Sequence, residues 1–287
     1  MPHAPPPDTK DCDKCPNYQS LPAFIVGRYF QLSVSAVPTQ PIRILHITDP
    51  HLHAHSDAMM RGLNTFESFK AIIERVNDDR RTPDAVIATG DLVQDETRQG
   101  YERFRNLVRE LNVPVYCIPG NHDSPPLMNE ILSKWPFQCC GTGQHQDWSI
   151  IMLNSAVRWN DYGKLEADQL EILQQTLETM PSKHALICMH HHPIPMGSQW
   201  LDNIGLQNND EFFALIDQFP TVRCITWGHV HQASHRERKG VAMISSPSTG
   251  SQFLPESDGF RLDSRPPGYR WISLMPDGSI ETEVIWL

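Results

Sequence analysis

The chain has 287 residues, 39% of them hydrophobic and 20% charged, which suits one large α/β domain with a sizeable core. A formal net charge of -10 argues against a surface made to coat nucleic acid, whose affinity comes mainly from lysine and arginine. Seven cysteines, at 12, 15, 117, 139, 140, 188 and 224, are too few and too scattered for a disulfide scaffold, so a reducing cytoplasm is expected. No run reaches the roughly 18 apolar residues of a membrane span, and the first residues lack the basic region of a signal peptide.

Residues 1 to 40 read as a Pro-rich extension, with Cys12 and Cys15 as a lone, weak C-x-x-C pair. The domain, 41–287, opens on a β-branched strand, Ile42 to Thr48. A helix follows, with Asn64 and Glu67 placed as a capping box and Phe66, Phe69, Ile73 and Val76 as its apolar stripe. Ala85–Thr89 is a second buried strand, and a helix from about Thr97 carries Tyr101, Phe104, Val108 and Leu111 on one face. The third strand, Val113–Ile118, runs into Gly120-Asn121-His122-Asp123. Residues 125–147 show no regular pattern. Strands over 149–154, 185–189 and 222–227 alternate with helices over 166–179 and 211–219. The end reads as a hairpin turning at Pro276-Asp277-Gly278.

Five strand ends carry side chains that bind metals. They are Asp49 with His51, Asp91, Asn121 with His122, His190-His191-His192, and His229 with His231. Carboxylate, imidazole and amide oxygen suit borderline first-row ions such as Fe, Mn and Zn. In D-x-H and H-x-H, strand alternation would point residues i and i+2 the same way, toward one ion. In open α/β sheets such strand ends are where ligands bind. His46, inside its strand, reads as a satisfied core histidine.

The set Asp49-x-His51, Gly90-Asp91, Gly120-Asn121-His122-Asp123, the histidines before Pro193, and Gly228-His229-x-His231 resembles the calcineurin-like metallophosphoesterases. It follows the family's order from residue 42 to 231. Within that superfamily the chain resembles the bacterial class III 3′,5′-cyclic-AMP phosphodiesterases, on Met189 to Pro195, Trp200-Leu201-Asp202, Pro247-Ser248-Thr249 and Pro267-Gly268-Tyr269-Arg270. The resemblance implies a four-layer α/β/β/α sandwich of two mixed sheets with metals at one rim. It also implies two divalent ions, Fe and/or Mn. Asp49, His51 and His231 would hold one; Asn121, His190 and His229 the other; Asp91 would bridge them. His191 is the alternative to His190.

The expected chemistry is hydrolysis of cyclic AMP to 5′-AMP, with a metal-bridging hydroxide as nucleophile. His122 and Asp123 are the expected catalytic pair: His122 stabilises charge or protonates the leaving 3′ oxygen, and Asp123 orients its ring. His51, Asp91, Asn121, His122 and His231 would face the substrate. Trp159, Trp200 and Phe253 are candidates to stack on a purine. The expected partner is the cyclic nucleotide, with neither nucleic acid nor membrane, and a homodimer is an open option. The rivals are another phosphodiesterase, phosphatase or nuclease on the same site, and a non-catalytic scaffold of this fold.

Overall fold

A computed structural model of the chain describes residues 40–287. The expected extension, all but its last residue, and the Cys12/Cys15 pair lie outside the described residues.

In chain order the strands are β1 Ile42–Ile47, β2 Met59–Met60, β3 Leu63–Asn64, β4 Ala85–Ala88, β5 Val115–Cys117, β6 Phe137–Cys139 and β7 Gly141–His145. They continue as β8 Trp148–Met152, β9 His184–Met189, β10 Val222–Trp227, β11 Ser234–Arg238, β12 Val241–Ser245, β13 Gly268–Leu274 and β14 Ile280–Trp286. The helices are α1 Thr65–Asn77, α2 Arg98–Val108, α3 Pro125–Ile131, α4 Ala167–Thr179, α5 Gln199–Asp202 and α6 Asn209–Ile216. Asn64 caps α1 by accepting from Glu67 N at 2.9 Å, as its spacing implies. Thr97 caps α2 in the same way, accepting from Gly100 N.

One six-stranded sheet has the order β14-β13-β1-β4-β5-β6, the other β11-β12-β10-β9-β8-β7. Both are mixed. Strands β1, β4, β5 and β6 run parallel, as do β8, β9, β10 and β12, while β13 and β14 in the first sheet and β7 and β11 in the second pair antiparallel with their neighbours.

Strand alternation sorts the core into three layers. Ile44, Ile87, Ile150, Leu186 and Cys224 meet between the sheets. The opposite face of the first sheet, through Leu45, Ile47 and Val86, packs on Phe69 of α1, Phe104 of α2 and Met128 of α3. The second sheet packs Ile187 and Met189 on Leu173 of α4 and Phe212 of α6. The result is the expected helix–sheet–sheet–helix sandwich. Each fully buried Leu, Ile or Phe contributes about 1.5–3 kcal/mol, so the parallel strand ends rest on a rigid base. Cys117, Cys188 and Cys224 are buried free thiols, as expected of core residues.

His46 lies in this inner layer. Its Nε2 meets Thr89 Oγ1 at 2.8 Å and its Nδ1 meets Thr226 Oγ1 at 3.1 Å, so one ring ties the two sheets together.

Candidate metal centre

The loops after β1, β4, β5, β9 and β10 converge at one rim. The convergence does not come from strand alternation. Asp49 (φ 52°), His51 (45°), Asp91 (49°), His229 (65°) and His231 (47°) all have left-handed backbone. Left-handed residues set two apart, past the end of the strand, aim each D-x-H and H-x-H pair. Non-glycine residues there cost on the order of 1–3 kcal/mol each and persist only where surroundings hold them. Here cross-loop bonds do so: Asp49 N donates to Gly90 O, His51 N to Asp91 O, and His229 N to Asp49 Oδ2 at 3.0 Å.

Close approach explains two motif glycines. A Cβ on Gly120 would come within 2.1 Å of Asp91 Oδ1, and one on Gly228 within 2.1 Å of Thr48 Oγ1 and 2.7 Å of Asp49 Oδ2.

On one side of the rim, His231 Nε2 lies 3.4 Å from Asp49 Oδ1 and 3.1 Å from His51 Nε2. Asp91 Oδ2 stands between the halves of the site, 3.6 Å from His51 Nε2 and 3.5 Å from His190 Nε2. On the other side, His190 Nε2 is 3.2 Å from Asn121 Oδ1, and the His229 ring is centred 5.0 Å from that of His190. His190 is therefore the histidine of the triplet aimed at both Asp91 and Asn121. His191 is turned to Ser155, Nδ1 to Oγ 2.9 Å, although its ring also neighbours His229. His192 lies behind, 3.9 Å from Asp202.

Two carbonyls fix imidazole tautomers. His190 Nδ1 donates to Thr89 O and His231 Nδ1 to Ser251 O, both at 2.7 Å, leaving each Nε2 lone pair directed inward.

The electrostatics call for cations. Asp49 and Asp91 are buried carboxylates, and among the described residues no lysine or arginine pairs with either. Burial favours the neutral acid in Asp91, but the neighbouring His190 outweighs it and holds the group well below the usual carboxylate range. Burial pushes His51 down to about 3 and His229 well below its ordinary value, so both are neutral donors at pH 7. His229 Nε2 is buried without a hydrogen-bond partner among the described residues. Buried carboxylates with no lysine or arginine partner, beside an unpartnered imidazole nitrogen, fit divalent metal ions.

A family model for calcineurin-like phosphoesterases matches residues 42–233. The chain belongs to the calcineurin-like phosphoesterases. It is 39% identical over 246 residues to the 3′,5′-cyclic adenosine monophosphate phosphodiesterase CpdA of Haemophilus influenzae, covering 85% of this chain and 89% of that protein. It is 37% identical to the CpdA of Pseudomonas aeruginosa, again over 85% of this chain and 89% of that one. Among solved structures, a dimetal phosphatase from Danio rerio shares the fold, with TM-score 0.59 and 14% identity over 86% of this chain and 99% of that one.

In this phosphoesterase His122 stands at the edge of the carboxylate–imidazole cluster, its ring centred 5.2 Å from that of His51. The expected support from Asp123 is absent. The Asp123 carboxylate is turned away, accepting from Leu92 N, Val93 N, Gly120 N and Tyr101 Oη. It braces the Gly90 and Gly120 loops against each other. The group on His122 Nδ1 is instead Gln94, with Nε2 at 3.2 Å. Sequence reasoning missed Gln94 because it lies in a different loop with no motif of its own. It counted Tyr101 only as part of an apolar face, and its hydroxyl also takes Ser124 N at 2.8 Å.

A cavity of about 470 Å³ opens beside the cluster, lined by Asn121, His122, Pro125, Arg158 and Trp159 among others. Of the three aromatic candidates only Trp159 lines it. Phe253 stacks on His231, centroids 4.0 Å apart and planes 6° apart, with Arg61 Cζ 4.7 Å from its centroid. Trp200 packs on Phe253 and Phe260 at 5.3 and 5.4 Å.

No helix among the described residues is long and apolar enough to cross a membrane.

Proposed function

We propose that this phosphoesterase hydrolyses 3′,5′-cyclic AMP to 5′-AMP at a two-metal site. The observation that carries the reading is a complete donor set, built around Asp91, in a chain 37–39% identical over 85% of its length to proteins named as cyclic-AMP phosphodiesterases. Asp49, His51 and His231 would hold one ion, Asn121, His190 and His229 the other, with Asp91 within reach of both. The oxygen and imidazole donors favour Fe or Mn. Divalent ions bound there supply Lewis acidity and bring the pKa of bound water from 15.7 toward about 7.

The chain's own groups do the rest. The cluster seats the phosphate at a buried, rigid rim, so its oxygens meet fixed donors rather than reorganising solvent. Water adds to phosphorus, the bond from phosphorus to O3′ breaks, and the 5′ ester stays intact. His122 gives O3′ its proton. Gln94 holds the far nitrogen of that imidazole. Buried free thiols at Cys117, Cys188 and Cys224 suit a reducing cytoplasm.

The test is a substrate panel with Mn²⁺-loaded protein, reading products by chromatography. Formation of 5′-AMP from 3′,5′-cyclic AMP is expected. Cleavage of an aryl phosphodiester with no turnover of cyclic AMP would keep the centre and discard the substrate. Stoichiometric metal with neither activity would turn the reading to a non-catalytic scaffold.

A further inference from the structure

Trp159 is hard to account for as a folding residue. Its backbone is left-handed, φ 65°, a conformation that costs a bulky side chain about 1–2 kcal/mol. Its side chain is 78% exposed, so burial returns little of that cost. The strain is held by polar contacts of the surrounding loop rather than by packing of the indole. Asn160 N donates to Val157 O, Asn160 Nδ2 to Arg158 O, and Lys164 N to Ser155 O. The loop is also anchored to the metal centre. Ser155 Oγ meets His191 Nδ1, and a Cβ on Gly163 would come within 2.3 Å of the His191 ring.

The braced backbone therefore places the indole beside the centre, on the wall of the cavity that Asn121 and His122 also line. Arg158 Cζ lies 4.7 Å from the ring centroid, and the guanidinium has no ion-pair partner among the described residues. A cation over an indole stiffens it without adding a hydrogen-bonding code. An exposed aromatic plane on a strained, polar-braced loop, next to a phosphate centre, is what a nucleobase uses for stacking. A volume near 470 Å³ falls in the range of about 300–1,000 Å³ usual for small-ligand sites. The other aromatic groups near the rim are already occupied with His231, Arg61 and one another.

We propose that Trp159, backed by Arg158, is the stacking platform for the base of the cyclic nucleotide. The inference rests on the cyclic-nucleotide reading and adds the subsite that separates nucleotides from plain phosphodiesters. Stacking tolerates any base but rewards the larger surface, so purine nucleotides bind more tightly than pyrimidine ones.

The experiment compares wild type, Trp159→Ala and Trp159→Phe, all metal-loaded, on cyclic AMP, cyclic CMP and a base-free methyl riboside 3′,5′-cyclic phosphate. One stacked base is worth about 1–3 kcal/mol, so Trp159→Ala raises KM for cyclic AMP roughly 5- to 150-fold with kcat little changed. Trp159→Phe keeps most of the affinity, and the base-free probe shows the same kcat/KM in all three proteins. An unchanged KM for cyclic AMP in Trp159→Ala would overturn the proposal, as would an equal loss on the base-free probe, which marks a distorted loop. A wild-type enzyme inactive on cyclic AMP but active on the base-free probe would overturn the cyclic-AMP reading and this proposal with it.

Discussion

His51 Nε2 and His231 Nε2 lie 3.1 Å apart, although the first residue follows a strand of one sheet and the second a strand of the other. His231 commits Nδ1 to Ser251 O, and burial keeps His51 neutral, at about 3. The His231 Nε2 lone pair thus faces His51 Nε2, and Asp49 Oδ1 completes the group at 3.4 Å from His231. The sandwich brings a carboxylate and two neutral imidazoles from both sheets to one point, the donor set of a divalent ion. His231→Ala should weaken metal binding by more than the 10–100-fold typical of a change behind the ligands, measured as metal retained after dialysis and as the Mn²⁺ concentration for half-maximal rate. Full metal retention would remove His231 from the ligand set.

His122 and Gln94 make a graded pair. His122→Ala should lower kcat by about 10²–10⁴, the range of one positioned proton donor, with metal content unchanged. Gln94→Leu removes only the contact at His122 Nδ1, so kcat should fall less, with KM for cyclic AMP steady. Metal loss in His122→Ala would make it a ligand. Wild-type kcat in Gln94→Leu would show that the imidazole needs no holder.

The ligand clusters were legible because each follows an apolar run that can only be a buried strand, and hydrophobic periodicity marks such runs. The way the ligands are aimed was not legible. Strand alternation gave the right convergence for the wrong reason, since left-handed backbone at Asp49, His51, His229 and His231 leaves no periodic trace. The hairpin β11–β12 was hidden because its first strand reads Ser234-His235-Arg236-Glu237-Arg238, a charge run with no apolar face. β7, with two glycines in five residues and no charge run, was hidden because it too has no apolar face. Asp123 was misread because its neighbour in sequence, His122, is not its neighbour in space. Apart from Gly120 in its own loop, its partners come from the loop after β4 and from α2, which spacing does not reveal.

Asp123 should therefore behave as a brace. Asp123→Ala orphans three backbone N–H groups and the Tyr101 hydroxyl. Each unsatisfied buried donor costs about 1–3 kcal/mol, so the variant should lose several kcal/mol in urea unfolding and its metal with it. Unchanged stability with a fall in kcat would restore the catalytic role expected from sequence.

His46 predicts a pH dependence of stability. Burial lowers its folded-state value from 6.5 to about 3, so the folded protein binds that proton less well than the unfolded chain. The stabilisation is complete above pH 6.5 and is lost as pH falls from 6.5 toward 3. At about 1.4 kcal/mol per unit once the unfolded histidine is fully protonated, lowering the pH from 6.5 to 4.5 should cost metal-free wild type about 2 kcal/mol more than a His46→Gln variant, by urea unfolding at each pH. Parallel pH profiles would show that His46 is not the group responsible.

The measurement that bears most directly on the two-metal account is a titration. Metal-stripped protein receives increments of Mn²⁺ while formation of 5′-AMP from cyclic AMP is followed. The two donor groups sharing Asp91 predict no turnover without metal and a rate that reaches its plateau at two ions per chain. A plateau at one ion, or turnover by the stripped protein, would contradict it.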